Sequence, residues 1–152
     1  MMNPVSQVQE ILASLLREQP WFEEHRVEII EQNKADLKFL LDKQIAALKN
    51  VVVVIGCDGM TNQYPNLEMN ITITALEYVP LNRVGDSFVS AIDVIQAAVE
   101  VIDGEWWHFE SMSHDTPMER VLQATATFRG CVKRVPDEGI NNDNNETETT
   151  ND

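Results

Sequence analysis

The sequence contains little cysteine, and its apolar residues never form a long run. Its 152 residues include two cysteines, Cys57 and Cys131. These are too few for a disulfide scaffold and lack the paired spacing of a zinc site, so a reducing, intracellular compartment is the simplest interpretation. The longest apolar run, 51–57, is far shorter than the ~18 residues of a membrane helix. The first residues also lack the pattern of a signal peptide. We therefore expect no contact with a membrane.

Positive charge is also scarce. Lys and Arg number 11 against 25 Asp and Glu, which gives a formal net charge of −14. Proteins that bind the phosphate backbone need a clustered cationic surface, and basic residues supply the attraction to anionic lipid. The composition therefore argues against nucleic-acid binding and against lipid docking. It says little about the fold, because net charge governs solubility and repulsion.

The acidic residues are unevenly distributed along the chain. Residues 136–152 contain six Asp and Glu, no Lys or Arg, and a single sizeable apolar side chain, Ile140. Such a segment cannot bury enough apolar surface to offset the entropy lost on ordering. The sequence predicts one folded domain over residues 1–135 and a disordered acidic tail over residues 136–152.

Three stretches show the helical spacing of apolar residues. The first is a helix ended by Pro20, the second covers residues 33–50, and the third covers residues 88–102 with Asp86 or Ser87 as its cap. β-Branched runs and alternating residues indicate strands, with turn residues at 58–59. The strands are predicted over residues 26–31, 51–57, 67–75, 105–112 and 121–135. The order α-β-α-β-β-α-β-β predicts an α+β fold, a two-layer sandwich of a mainly antiparallel sheet with helices on one face.

Common catalytic motifs are absent from the sequence, which has no GxGxxG, Walker A, GxSxG or HExxH pattern. The nearest approach to a metal site is formed by His108, Glu110, His114 and Asp115. Alternation along a strand would place His108 and Glu110 on one face, but two ligands without a clear third are weak support for a metal. The leading interpretation is a protein that is not an enzyme and that uses no cofactor or metal.

Two short segments are candidates for contact with a partner. Trp106 and Trp107 are adjacent in a predicted strand, so one indole should enter the core and the other point outward. The outward ring is either covered by a loop or by Pro117, or it anchors a protein contact. The second segment, 77–83, follows a strand and leads to a helix. Its candidate interface residues are Glu77, Tyr78, Pro80, Asn82 and Arg83.

A structural interpretation of the segment 77–83 is equally available. Pro80 would fix the turn, Asn82 would satisfy a backbone group, and Glu77 would pair with Arg83 at the surface. For each residue taken alone, this interpretation is slightly favoured over a specific binding role.

The order of elements together with the segment 77–83 resembles the tail terminator or tail completion proteins of long-tailed bacteriophages and prophages, including a Mu-like minor tail group. The resemblance rests on pattern and covers most of residues 5–135. The chain departs from the family in its acidic Asn/Thr tail and in the loop 58–66. The matching stretches are 7–17, 27–48, 51–55, 69–83, 88–102 and 121–133.

The resemblance implies a structural, non-enzymatic role. Copies would form a homo-oligomeric ring, often a hexamer, that caps the tail tube and meets the head-tail connector. The protein would lie in the host cytoplasm and then in the virion. Ring contacts are heterologous and require two complementary patches on each copy. One patch would be the exposed side of the sheet, with Glu68, Asn70, Thr72, Thr74, Thr125, Thr127 and Arg129.

Two other functions remain alternatives. The first is a small metal-dependent hydrolase that uses His108, Glu110, His114 and Asp115. The second is an acidic binding module that mimics nucleic acid and inhibits a basic partner.

Overall fold

A computed structural model describes residues 4–32, 37–63, 66–84 and 88–133, and the predicted tail over residues 136–152 lies outside them. The α+β class is confirmed, and the main elements follow the predicted order. The helices are α1 (Pro4–Arg17), α2 (Pro20–Glu24), α3 (Leu37–Phe39), α4 (Val79–Asn82) and α5 (Ala91–Ile102). The strands are β1 (Glu28–Glu31), β2 (Val52–Gln63), β3 (Asn66–Tyr78), β4 (Trp107–Asp115) and β5 (Val121–Lys133).

The described strands form one sheet in the order β1-β2-β3-β5-β4. β1 and β2 are parallel, and the other neighbouring pairs are antiparallel. The predicted turn at residues 58–59 is wrong. β2 instead continues to Gln63 through a bulge between Cys57 and Gly59. A bulge absorbs one extra residue while pairing continues on both sides, so turn-forming residues here bend a strand without ending it.

α1 and α5 cover one face of the sheet, as predicted. Their apolar stripes enter a common core with alternate residues of β2, β3 and β5. No helix among the described residues is both long and apolar enough to cross a membrane. The fully buried members of this core include Leu12, Leu16, Ile55, Ile71, Ile73, Ile95 and Phe128.

The predicted cap of the third helix, at Asp86 or Ser87, is wrong, because α5 begins at Ala91. The Ser90 hydroxyl accepts a hydrogen bond from the Asp93 backbone N–H at 3.1 Å. In return, the Asp93 carboxylate accepts one from the Ser90 N–H at 3.0 Å. This reciprocal pair satisfies two donors that a helix start leaves free, and it fixes where α5 begins.

The predicted second helix is not continuous. α3 leads into a π turn, Leu40–Gln44, and a 3-10 turn, Ile45–Ala47; we call residues 37–47 the α3 segment. It packs on the sheet face opposite α1 and α5, so the prediction of helices on a single face holds only for those two. There Ile45 joins a second, smaller cluster with Val52, Val54, Leu76 and Val121.

Candidate functional site

The segment 77–83 is organised around a buried carboxylate. Glu77, at the end of β3, is 0% exposed. Arg83 donates to both carboxylate oxygens, from Nε at 2.7 Å and from Nη2 at 3.2 Å. Asn82 donates at 2.7 Å, and the Ala91 backbone N–H donates at 3.0 Å. We call these four residues the Glu77 junction. The predicted pairing with Arg83 is confirmed, but its placement at the surface is wrong.

The Glu77 junction ties three elements together. Glu77 belongs to β3, Asn82 to α4, and Ala91 to the first turn of α5, where a backbone donor would otherwise lack a helical partner. Asn82 also donates to the backbone carbonyl of Val89 at 2.8 Å, which agrees with its predicted role of satisfying a backbone group. The junction therefore fixes how the chain passes from the sheet to the helix layer.

The Glu77 junction stabilises the ionised form of the Glu77 carboxyl group. Burial raises the pKa of Glu77, but the hydrogen bonds from Arg83, Asn82 and the Ala91 N–H outweigh burial and hold that pKa below its ordinary value. The hydrogen bond to Glu77 correspondingly raises the pKa of Arg83. Glu77 thus acts within the chain, whereas Pro80 and Arg83 are exposed and Tyr78 is half-buried. A contact of these three with a partner stays a prediction.

The tryptophan pair divides between core and solvent. Trp107 packs against the main core, and Trp106 is 69% exposed, which agrees with the predicted division. The suggestion that the outward ring is covered by a loop or by Pro117 is wrong. Trp106 instead projects from the turn before β4, where an interface role stays a prediction.

Gly130 makes room for the half-buried indole of Trp107. A Cβ at Gly130 would lie 2.3 Å from Trp107 Cε3 and 2.7 Å from the Trp106 carbonyl oxygen. We expect Gly130→Ala to lower the free energy of unfolding by about 1–3 kcal/mol, the usual cost of overpacking. Urea denaturation followed by tryptophan fluorescence measures it. Gly104→Ala is the control, because a Cβ there meets nothing within 4 Å; equal effects would contradict the packing argument.

A bulge in β4 separates the predicted metal ligands. His108 lies opposite Arg129, and Glu110 accepts a hydrogen bond from the same arginine at 2.9 Å. Both therefore share the sheet face opposite α1 and α5, which agrees with the prediction that they lie on one face. The extra residue between Phe109 and Ser111 then reverses the alternation, and His114 lies opposite Ala124 on the helix-covered face. Among the described residues, no three side chains of metal-ligand type are grouped to hold an ion.

The sheet face opposite α1 and α5 is polar beyond the second cluster; we call it the outer face. Thr72 lies opposite Thr127, and the Ser111 and Thr127 hydroxyls are 2.8 Å apart. Hydrogen bonds to Glu110 raise the pKa of the exposed Arg129, which is also 3.9 Å from Glu68. Thr74 is 5% exposed, so its predicted place on an accessible surface is wrong. The other predicted members of this face are half-buried or exposed, and their role in subunit packing stays a prediction.

The helix layer carries an open groove of about 720 Å³ between α1, α2 and α5. Leu15, Trp21 and Val101 line it together with the carboxylates of Asp93 and Glu100. The two sides of the molecule therefore differ: one is a hydroxyl-rich sheet, and the other is a groove that mixes apolar side chains with acidic ones.

Sequence reasoning missed the exposed apolar side chains of the β4 edge. Phe109 is 38% exposed and Met112 is 41% exposed. They are three residues apart, and in a regular strand this spacing places two side chains on opposite faces. The bulge returns them to the same face, which the alternation of the sequence does not reveal.

Comparison with models of protein families finds no family that matches this chain, and comparison with curated proteins finds no match either.

Proposed function

We propose that this chain is a structural protein of a phage or prophage tail, a terminator or completion protein whose copies form a ring. The ring would cap the tail tube and join it to the head-tail connector. Before assembly the protein would lie in the host cytoplasm, and afterwards in the virion. The observation that supports the proposal most directly is the pair of open, chemically different surfaces on opposite sides of the two-layer molecule.

A closed ring is built from heterologous contacts, in which one patch of each copy meets a different patch of the next. The outer face presents hydroxyls and the exposed guanidinium of Arg129. The groove of the helix layer presents the carboxylates of Asp93 and Glu100. Hydroxyl donors on one side and carboxylate acceptors on the other allow head-to-tail packing in which the outer face of one copy meets the helix layer of its neighbour.

The net charge of −14 opposes this association at low ionic strength. At physiological ionic strength, salt largely screens the repulsion between exposed charges that are more than ~8 Å apart. Ring formation should therefore strengthen as salt rises from a low value to the physiological range.

The test combines light scattering with electron microscopy of negatively stained samples. At physiological salt and high concentration, or after addition of uncapped tail tubes, we expect rings with a mass several times 17.2 kDa. Thr127→Arg, a bulky charged change in the middle of the outer face, should abolish them. Glu119→Gln, a change at an exposed residue of the turn before β5, which belongs neither to the strands of the outer face nor to the lining of the groove, should leave them intact.

Absence of rings both in solution and on tubes would contradict the proposal. The genomic neighbourhood supplies an independent test: genes for a major tail protein and a head-tail connector should lie beside the gene for this chain.

A further inference from the structure

The two edges of the sheet are protected differently. β1 has four residues, and Arg17 donates to the Ile29 carbonyl and pairs with Glu31 at 3.0 Å. β4 has nine residues, and all of them after Trp107 are exposed. It contains neither Lys nor Pro, the residues that commonly prevent an edge strand from pairing with another chain. β4 does carry a bulge and the acidic Glu110 and Asp115, which also discourage pairing, but it is the longer and more exposed of the two edges.

The backbone of β4 shows which groups are available. The Phe109 N–H donates to the Asp103 carboxylate at 2.9 Å, so Phe109 directs its backbone groups away from β5. In an antiparallel ladder, every second residue directs its backbone N–H and C=O to the same side. After the bulge, the residues with the orientation of Phe109 are Met112 and His114. Met112 follows Phe109 by three residues, but the bulge shortens this interval to the length that two residues span in a regular strand. Because His114 follows Met112 by two residues, the three residues are evenly spaced along the free edge.

This spacing makes the edge complementary to itself. The three residues lie opposite Phe128, Ala126 and Ala124, which all belong to the main core, so their side chains share the helix-covered face. We propose that two copies of this chain pair antiparallel along their β4 edges about a two-fold axis at Met112. The axis places Met112 against Met112 of the partner subunit, and Phe109 against the partner subunit's His114.

Four backbone hydrogen bonds can form across this axis, and at each Phe109–His114 pair the Asp103 carboxylate must turn aside, because it holds the Phe109 N–H on the side from which the partner strand approaches. Two join the paired Met112 residues. The other two are one from each His114 N–H to the Phe109 carbonyl of the other copy. The segment 103–104 covers the edge near Trp107, where the Gly104 N–H donates to the Trp107 carbonyl at 2.9 Å. The partner strand ends at Asp115 and so does not reach that position.

Charges on the outer face favour the same register. His108 and Asp115 both lie on that face, opposite Arg129 and Gln123 of β5. With Phe109 against His114, the next pair places His108 against the partner subunit's Asp115. The two-fold axis produces this pair twice, and the imidazole of each pair can donate a hydrogen bond to the carboxylate that faces it.

The pairing goes beyond the proposed ring, since it is isologous and joins the backbone edges of β4, whereas the ring would join the two faces of the molecule. A single strand edge is small compared with the ~1,600 Å² buried in a stable complex. We therefore expect a dimer that forms and dissociates with concentration.

Sedimentation velocity over a concentration series resolves this dimer from both the monomer and any ring. A species of twice the 17.2 kDa monomer mass should grow with concentration. Met112→Lys should raise its dissociation constant at least about tenfold, because two ammonium groups would face each other at the axis. Met118→Lys is the matched control, since both methionines are 41% exposed and Met118 lies outside β4.

The register has its own test. His108→Asp and Asp115→His should each weaken the dimer, and the double variant H108D/D115H should recover it, because each cross-axis pair again contains one imidazole and one carboxylate. A dimer species absent at every concentration, or equal effects of Met112→Lys and Met118→Lys, would overturn the pairing; failure of the double variant to recover the dimer would overturn the register. A chain that caps tail tubes without a dimer would overturn the pairing alone, whereas a dimer that leaves tubes uncapped would count against the ring.

Discussion

Replacing Arg83 by alanine is expected to lower the free energy of unfolding by about 3 kcal/mol at neutral pH. The substitution leaves the carboxylate of Glu77, which is 0% exposed, without its cationic partner. Loss of one member of a buried ion pair costs about 3–5 kcal/mol. We expect the lower end of that range, because the Arg83 side chain is 36% exposed and its removal admits water. Urea denaturation at pH 7 measures the change.

The pH dependence of this loss of stability shows whether the buried charge of Glu77 causes it. In the unchanged protein the pKa of Glu77 is lowered, so the stability from its ionised form is present above the ordinary Glu value of about 4.3 and is lost as pH falls through the lowered pKa. Without Arg83, burial should raise the pKa of Glu77 instead. Protonation then relieves the buried charge, so the deficit of Arg83→Ala should narrow as pH falls through the raised pKa of Glu77 in the variant.

Two variants control this experiment. Arg129→Ala removes an exposed ion pair and should lower stability far less than Arg83→Ala does, because exposed ion pairs contribute little. In a Glu77→Gln background, the effect of Arg83→Ala, measured against Glu77→Gln alone, should not show this pH dependence, because the buried charge is absent from both proteins. If Arg83→Ala behaved like Arg129→Ala at every pH, the Glu77 junction would not contribute to stability.

The class of the fold could be predicted because burial imposes regular periods on the sequence. Residues 67–75 alternate between apolar and polar, and in β3 the apolar ones face the main core. The β-branched run that begins β2 is buried on both faces, with Val53 in the main core and Val54 in the second cluster. These patterns depend only on which side of a helix or strand is buried.

The candidate site could not be predicted to the same extent, because it depends on local departures from those periods. The burial of Glu77 requires donors from two other elements, and sequence spacing does not reveal that they converge. The bulge in β4 places His114 on the face opposite His108 and returns Met112 to the face of Phe109. One inserted residue thus separated the predicted ligands and created the exposed apolar edge.

Ile45→Ala is expected to lower the free energy of unfolding by about 2–4 kcal/mol. Ile45 is 6% exposed and is the buried residue through which the α3 segment enters the second cluster. That cluster is small, so few neighbours can shift to fill the space left by truncation, and unfilled space is what raises the cost of such changes. Leu48→Ala, at a half-buried neighbour, should cost less.

Ala47→Ser is the matched control for Ile45→Ala, because Ala47 is exposed in the same 3-10 turn and its change should stay within about 0.5 kcal/mol. Hydrogen exchange adds a local measurement. Loss of Ile45 should speed exchange of the α3 segment before that of β3, since the segment is joined to the sheet mainly through this cluster. A cost as small as that of Ala47→Ser would mean that the α3 segment does not cover this face of the sheet.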